Sequence, residues 1–379
     1  ESRTRKTILE GGTYGRYSVS GHILYVNNNT LFAASFDPEA LELKGMPTPV
    51  LEGINMNPEG GAQYSVSLNG TLVYVPGTAE GAKRSLVWFD PQGRETLVSE
   101  TLKEYRLLRL DPAQRRMALD VFTDGNYDIW VQDLQRDTQT RLTFHESADQ
   151  NPVWSSDGQY IYFNSNRTGK NGIFRKRADG ASEEELLLES ADPVFPWSAS
   201  HDGEYLGYFT QNAGGYDVWV LPLNGEKEPQ QLWKSDFGEA DLVFSPDDRW
   251  LAYDSDESGR WEVYVRPFGS SAGKWQISTD GGEYPRWSAD GKRLYYLKAE
   301  AVFEVPVTTL GDSFEAGRPV KLLEIQGSRQ GDVEISRDGQ RFYYVKEQGP
   351  AGSSGPNLVR FTFNWFEELE QILQTTPVR

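Results

Sequence analysis

Acidic residues recur at matching places in this 379-residue sequence, and carboxylates are the groups here best suited to binding or catalysis. Each precedes a short segment of alternating apolar residues; the set comprises Glu104, Asp149, Asp192, Glu239, Asp241, Glu283 and Asp332. Carboxylates gathered at one place attract a cation or a basic peptide. Two that lie close together in one pocket with perturbed pKa values could serve in catalysis. The alternative is that these acids accept hydrogen bonds from loop N–H groups and tie neighbouring parts of the fold together.

Three other motifs carry weaker signals. Residues 269–273 match Gly-x-Ser-x-Gly, but no helix follows, so we predict a surface turn and no catalytic serine. The histidines, His22, His145 and His201, fall in separate turns, which argues against a histidine metal site or a catalytic triad. Residues 254–259 resemble half of a calcium loop, but Val265 stands where the last acid belongs, and a β-turn is favoured. We predict no catalytic residue, metal ligand or cofactor; a cation such as calcium in the channel is the alternative.

A repeated phrase organises the chain: an apolar residue, a Ser-x-Asp-Gly turn, and then alternating aromatic residues. It is clearest in "VWSSDGQYIYF" from Val153 and "RWSADGKRLYYL" from Arg286, and eight copies can be aligned. The turn residues Asp157, Asp202 and Asp247 follow one another at steps of 45 residues, a spacing typical of four-stranded propeller blades. The period-two alternation within each copy excludes a helical solenoid.

The sequence therefore predicts an all-β fold, an eight-bladed β-propeller of four-stranded antiparallel blades, with seven blades as the alternative. A single domain, 1–379, would hold blades at 14–53, 63–100, 104–145, 150–190, 195–235, 240–280, 284–325 and 331–363. The last blade lacks a fourth strand, and residues 5–10 are predicted to supply it and so close the ring. Residues 364–374 predict a short amphipathic helix. Loops before inner strands converge on the channel mouth, so the seven acids should form a ring there.

Composition limits the partners. The net charge of −18 argues against nucleic acid and anionic membrane surfaces, which reward clustered Lys and Arg. The absence of cysteine excludes disulfides and thiolate metal sites. No apolar run is long enough to span a bilayer, so we expect no membrane insertion by this chain. We also expect a monomer that binds a protein or a small molecule. One repeat position is occupied by tryptophan in three copies, as Trp154, Trp197 and Trp287. We predict that these side chains pack in the hydrophobic core between blades and do not form a carbohydrate-binding surface.

Particular phrases resemble a known family. The turns Ser245-Pro246-Asp247 and Ser288-Ala289-Asp290-Gly291, with the opening of "GNYDIW", resemble the WD40-like repeats of TolB-type β-propellers over nearly the whole chain. "DIWVQDL", "WLAYDSDESGRWEVYVRPF" and "NWFEEL" are similar to the C-terminal propellers of bacterial receptor-type serine/threonine kinases. This resemblance implies a periplasmic or extracellular sensor or interaction domain, tethered by an upstream membrane helix, that binds a partner without catalysing a reaction.

Two other functions stay open at this stage. The first is an enzyme, a lyase or hydrolase that uses acids at the channel mouth, because propellers carry many unrelated activities. The second is a structural scaffold without a ligand site. The phosphate-loop, Val-Ala-Ile-Lys and His-Arg-Asp motifs of a kinase do not occur in this sequence, so the resemblance predicts no kinase activity for the chain itself.

Overall fold

A computed structural model describes residues 7–9, 12–27, 29–56, 61–76, 84–123, 125–225, 228–270, 273–311, 313–325, 333–347 and 359–375. The chain divides into two compact units, one of Glu1–Ala82 with Gly349–Arg379 and the other of Lys83–Gln348. The fold is almost entirely β, as predicted, and the range 1–379 that was predicted as a single domain contains these two compact units. In the described part of the chain, no helix is long and apolar enough to cross a membrane.

The smaller unit begins with a sheet of antiparallel strands. Its strands are β1 (Thr13–Ser18), β2 (His22–Asn27), β3 (Thr30–Asp37), β4 (Glu42–Leu43) and β5 (Thr48–Leu51), followed by a hairpin of β6 (Tyr64–Val66) and β7 (Leu72–Tyr74). The strand order is β1-β2-β3, after which β5 and β4 pair with different parts of β3. This sheet lies in the range predicted for the first blade.

The larger unit contains six four-stranded antiparallel sheets within its described residues, one of which carries an additional strand. The first strands are β8 (Arg84–Phe89) and β9 (Glu95–Leu97). Three sheets follow in chain order. The first consists of β10 (Glu104–Leu110), β11 (Arg116–Thr123), β12 (Asn126–Asp133) and β13 (Thr138–Arg141), and the second of β14 (Asp149–Trp154), β15 (Tyr160–Ser165), β16 (Asn171–Arg177) and β17 (Glu185–Ser190). The third consists of β18 (Val194–Ala199), β19 (Tyr205–Asn212), β20 (Gly215–Pro222) and β21 (Gln230–Gln231).

The remaining strands of the larger unit complete the set. One sheet consists of β22 (Glu239–Phe244), β23 (Trp250–Ser255), β24 (Glu262–Pro267) and β25 (Trp275–Gln276). The next consists of β26 (Glu283–Trp287), β27 (Arg293–Lys298), β28 (Ala301–Leu310), β29 (Ser313–Ala316) and β30 (Val320–Glu324). The last two strands are β31 (Glu334–Ile335) and β32 (Phe342–Glu347). From β10 to β30 the sheets match the predicted blade ranges 104–145, 150–190, 195–235, 240–280 and 284–325, although four of the five begin one residue before the predicted start. Each sheet is named below by its first strand.

These six sheets form a closed ring, a six-bladed propeller. The first strands of neighbouring sheets contact one another, so they line the central channel. The sixth sheet has the order β31-β32-β8-β9 and so combines the end of the unit with its beginning; we call it the closing sheet. Its central pair aligns Tyr344 with Val87. On one side it packs against Tyr295 of the β26 sheet, and on the other against Tyr105 of the β10 sheet.

The described residues do not show the predicted closure by residues 5–10. Strand β32 pairs with β8, and among the predicted closing residues 7–9 form no strand, while 5, 6 and 10 lie outside the described residues. The ranges predicted for blades two and eight are each divided between the units. The structure thus has eight sheets within its described residues, as many as the predicted blades; six of them belong to the larger unit and two to the smaller.

The last two elements belong to the smaller unit. Strand β33 (Arg360–Thr362) pairs with β7, and helix α1 (Trp365–Thr375) follows it, close to the predicted range 364–374. The amide of Trp365 donates to the carbonyl of Gly70 at 2.8 Å, which fixes where the helix begins. Trp365 and Leu369 are buried in the core of this unit, while Glu367 and Glu368 in the first turn suit the positive end of the helix dipole.

Candidate functional site

The predicted acids gather at one end of the ring. Each described sheet from β10 to β26 has the same strand order outward from the channel, so their inner strands begin at the same end. Glu104, Asp149, Glu239 and Glu283 are the first residues of four of these inner strands, and Asp241 is the third residue of β22. Asp192 lies two residues before β18 and is exposed, while Asp332 lies outside the described residues. We call this end of the ring the acidic mouth.

Asp149 serves the fold through an ion pair. Its carboxylate is fully buried and accepts two hydrogen bonds from Arg167, at 2.8 and 2.7 Å. The same guanidinium contacts Glu184 at 3.1 Å, and Lys176 contacts Glu184 at 2.9 Å. Both bonds come from one nitrogen of Arg167, and a buried carboxylate paired with a guanidinium in this way has its charge balanced within the protein. Asp149 therefore holds two hairpins of the β14 sheet together and adds little to the charge of the mouth.

Two acids outside the predicted set of seven connect neighbouring sheets. Asp120 on β11 is fully buried and accepts a hydrogen bond from the amide of Asn151 in the next sheet, at 3.3 Å. Asp254 on β23 is 1% exposed and accepts one from the amide of Tyr284, again in the next sheet, at 3.1 Å. The sequence analysis considered this role for the predicted acids, in which a carboxylate accepts a hydrogen bond from a loop N–H and holds neighbouring parts of the fold together. In the structure, acids on the second strands perform it.

The backbone at the receiving positions is adapted to this contact. Asn151 and Tyr284 have left-handed φ values of 54° and 57°, and the inner strands carry irregularities in register around both residues. A bulge re-aims a strand's amide, which here turns the N–H out of its own ladder and toward the neighbouring sheet. The β14 sheet lacks this contact. Its Asn164, which faces Gln150, occupies the repeat position of Asp120. In the following sheet the repeat position of Asn151 is occupied by Pro196, which has no N–H to donate.

A pair of buried carboxylates lies at the β22 sheet's side of the mouth. Asp241, with φ of 55°, is 8% exposed and faces Asp254. Burial, and then the charge of Asp241, raise the pKa of Asp254 well above its usual range, while the amide of Tyr284 opposes the shift. Glu283 adds a further negative charge nearby. Two carboxylates held this close in a buried site share a proton more readily than they both ionise.

The other acids of the mouth are less completely enclosed. Burial raises the pKa of Glu104, with Arg84 opposing the shift, and burial alone raises the pKa of Glu283. Both carboxylates are partly exposed, on the two sheets that flank the closing sheet. Glu239 is buried and accepts a hydrogen bond from the Ser235 hydroxyl at 2.5 Å, and burial raises its pKa as well. The mouth thus offers Glu104 and Glu283 as accessible carboxylates.

Behind the mouth, charged side chains occupy the channel. Glu334 on β31 lies 3.6 Å from Arg109 and 3.4 Å from Arg286, which come from the sheets on either side of the closing sheet. Trp197, from the opposite side of the ring, lies beneath Arg109, with 4.5 Å between the guanidinium carbon and the ring centre. Trp197 is buried, as predicted, but it faces the channel. Charged side chains from three neighbouring sheets, with an indole from a fourth, therefore meet within the channel behind the acidic mouth.

No metal centre emerges from this arrangement. Within the described ranges, no group of three or more His, Asp or Glu residues could hold a metal ion. The calcium-like segment that starts at Asp254 ends β23 and forms the turn in which the amide of Gly259 donates to the carbonyl of Asp256, so the predicted β-turn is confirmed. His201 contacts Asp248 at 3.2 Å in a different turn from the one that contains His145.

Comparison with known proteins agrees with the ring. Residues 93–215, from β9 to the first residue of β20, match the TolB beta propeller domain. Over these residues the chain is similar to TolB-type β-propellers. A candidate TolB from Agrobacterium tumefaciens is similar to it at 17% identity and a TM-score of 0.57, over 71% of this chain and 100% of that one. TolB from Acinetobacter baumannii is 17% identical at a TM-score of 0.48, over 73% of this chain and 66% of that one.

A sequence relative is also known. An uncharacterized protein of Agrobacterium fabrum is 29% identical over 182 residues, which make up 48% of this chain. The chain spans 59% of the length of that relative.

The Asp241–Asp254 pair should make the stability of the larger unit depend on pH. An acid whose pKa is higher in the folded state than in the unfolded state binds more protons when folded, so stability falls as pH rises from the unfolded pKa toward the folded one. We expect Asp254→Asn to remove that fall, because asparagine still accepts from Tyr284 and donates to Asp241. Its free energy of unfolding should exceed that of the wild type at pH 7.5 and approach it near pH 4, measured by urea denaturation.

Asp280→Asn is the control for this experiment. Asp280 is exposed, and hydrogen bonding and charge from Lys298, followed by the charge of Arg260, lower its pKa. Its stabilising contribution is present above the unfolded pKa and is lost as pH falls, so its substitution should show the opposite trend. An Asp254→Asn protein that is less stable than the wild type at pH 7.5 would contradict the shared-proton interpretation.

Proposed function

We propose that this propeller is non-catalytic and binds a protein partner at the acidic mouth, as the sensor or interaction domain of a bacterial membrane signalling kinase. The observation that carries the proposal is the pair of partly exposed carboxylates, Glu104 and Glu283, at the entrance of a channel whose interior is filled by Arg109, Glu334 and Arg286. Such an entrance can accept a side chain or a short segment, but no chain can thread through it. The function needs no resident cofactor.

The partner's binding segment should be basic. Asp192 adds an exposed carboxylate at the same end, and the whole chain has a charge of −18, so a Lys- or Arg-bearing peptide would be attracted before contact. Attraction between exposed charges is screened over about 8 Å at physiological ionic strength, so binding should weaken with salt. A calcium ion would compete for the same carboxylates, and it is the one cation that we propose as an alternative occupant.

The cellular setting is part of the proposal. The phrase-level similarity to kinase-linked propellers supports a periplasmic or extracellular domain tethered by a membrane helix. The reading frame upstream of Glu1 tests this directly. We expect it to encode a membrane-spanning segment preceded by a kinase domain with Val-Ala-Ile-Lys and His-Arg-Asp motifs; a frame that encodes a different enzyme would contradict the kinase assignment and leave the binding proposal standing.

The enzyme alternative has one observation in its favour, the close carboxylates of Asp241 and Asp254. Both are buried, and Asp254 is committed to the amide of Tyr284, just as Asp120 is committed to that of Asn151. A general acid or base has to come within hydrogen-bond reach of its substrate. The repetition of the contact in another sheet supports a structural role for the pair, and we therefore propose binding in preference to catalysis.

Replacing both accessible acids should weaken binding of a basic peptide. For Glu104→Gln with Glu283→Gln, we expect about tenfold weaker binding of a fluorescein-labelled octa-lysine peptide at low salt, because the local potential that attracts it is reduced. The measurement is fluorescence anisotropy on the full chain. The matched control is Asp157→Asn with Asp202→Asn, which removes the same charge from turns at the other end of the ring. Equal losses in the two double variants would show that only net charge matters and would contradict the mouth as a site.

A further inference from the structure

A pocket of about 340 Å³ lies between the β22 and β26 sheets, at the end of the ring opposite the acidic mouth. The Ser-x-Asp turns of both sheets form its rim, and one side of Trp287 together with residues 307–309 forms its wall. Its volume lies at the lower end of the range for small-molecule sites. The residues that line it take no part in the acidic mouth.

An added hairpin builds one wall of this pocket. Strand β28 has 10 residues; its first half pairs with β30 as the fourth strand of the sheet, and its second half pairs with β29. No other sheet of the ring carries such a hairpin among the described residues. The hairpin places Phe314 5.2 Å from Trp250 and 6.3 Å from Trp287, between ring centres. Arg249 donates to the carbonyl of Gly311 at 2.6 Å, which attaches the hairpin to the neighbouring sheet.

The aromatic face of the pocket belongs to Trp287. Trp250 and Phe314 are buried, whereas Trp287 is partly exposed, which differs from the fully interior position predicted for it. Phe314 meets Trp287 at an interplanar angle of 89°, an edge-to-face contact that fixes the orientation of the indole. A rigid, half-exposed indole in a concave site offers a flat apolar surface to one face of a ligand ring.

Polar groups surround this face with both acceptors and donors. Asp247 and Asp290 each use one oxygen for their own turns, accepting from the hydroxyls of Ser245 and Ser288 at 2.6 and 2.5 Å. The second oxygen of Asp247 is outside these bonds, and that of Asp290 lies 4.0 Å from a guanidinium nitrogen of Arg293, so both oxygens can still accept from a ligand. The ammonium of Lys292 and the hydroxyl of Thr308 supply donors on the same rim.

We propose that this pocket binds a neutral sugar ring, with its C–H face on Trp287 and its hydroxyls on Asp247, Asp290 and Lys292. A phosphate or carboxylate ligand is disfavoured because two carboxylates outnumber one ammonium on the rim. A quaternary ammonium is disfavoured because only one aromatic face is exposed, so no cage forms around the cation. A purely apolar ligand would leave the polar rim without partners. A polyhydroxylated ring satisfies the face and the rim together.

The test uses the full chain and a panel of glucose, galactose, N-acetylglucosamine, maltose, lactose and chitobiose. We expect saturation-transfer NMR to detect at least one of these sugars, and titration calorimetry to give its dissociation constant. Trp287→Ala should abolish the signal, and Asp290→Asn should weaken binding about tenfold because a charge-assisted hydrogen bond becomes a neutral one. Trp287→Phe, which keeps an aromatic ring against Phe314, should fold normally and retain weakened binding.

Asp157→Asn is the matched control. Asp157 accepts from the Ser155 hydroxyl at 2.6 Å in an equivalent turn, but it does not line the pocket, so this variant should bind the sugar as the wild type does. The proposal is overturned if none of the six sugars gives a signal at millimolar concentration. It is equally overturned if Asp290→Asn and Asp157→Asn change binding to the same extent. Neither result bears on binding of the octa-lysine peptide at the other end of the ring.

Discussion

Replacing Glu334 by glutamine should destabilise the larger unit by about 3–5 kcal/mol, the usual cost of leaving buried charges without their counter-ion. The Glu334 side chain is 15% exposed, and those of Arg109 and Arg286 are 8% and 11% exposed. Without the carboxylate, two guanidiniums would share the channel with no negative charge between them at this point. Urea denaturation, followed by hydrogen exchange of the β8 and β10 amides, measures the loss within this unit.

Glu334 has a second role that makes the effect specific. It lies on the closing sheet and contacts an arginine from each neighbouring sheet, so its loss weakens both junctions of the sheet that completes the ring. The control is again Asp280→Asn, an acid that also contacts two cations, Arg260 and Lys298, but at the surface. Exposed ion pairs contribute little, so this control should be close to the wild type in stability. Equal effects of the two substitutions would contradict a structural role for the channel cluster.

Sequence reasoning succeeded where the structural signal is local. Each hairpin from β10 to β28 is formed around a short turn, as in the bond from the Ser155 hydroxyl to Asp157 and the amide of Gly158 to the carbonyl of Ser155. These contacts span a few residues, so residue type and spacing suffice to locate the turn and the two strands that it joins. The succession of such hairpins therefore predicts five of the six sheets of the ring, those from β10 to β30.

The closure could not be predicted in the same way. Strand β8, "RSLVWF", and the segment that contains β33, "LVRFTF", have similar alternating patterns, so either could complete the sheet that begins with β31 and β32. The choice depends on pairing between distant residues; Lys346 contacts Glu95 across the closing sheet at a separation of 251 residues. Alternation specifies which face of a strand is apolar, but it does not specify the partner strand.

The sequence predicted where the acids of the mouth lie, but not which groups each of them contacts. The loops before the inner strands do bring acids to one end, but the acids differ in what they do. Asp149 is neutralised by an arginine 18 residues later in the chain, a partner that the repeat does not mark. Asp120 and Asp254 stand in the apolar strands "MALDVF" and "LAYDS", and an isolated acid in such a strand is the signal that identifies a buried structural carboxylate.

Substitution of Phe342 by alanine should cost about 3–5 kcal/mol in unfolding free energy, the usual range for removing a buried phenylalanine. Phe342 is fully buried on β32 and contacts Tyr295 edge to face, at 5.8 Å between ring centres. Phe361, which the repeat assigned to the same blade, is 59% exposed on β33, so Phe361→Ala should change stability by less than about 0.5 kcal/mol. Hydrogen exchange should show faster opening of β8 in the first variant and no change in the second. Comparable losses from both substitutions would mean that β33 shares a core with β32, and the observed division of the last repeat between two units would then be wrong.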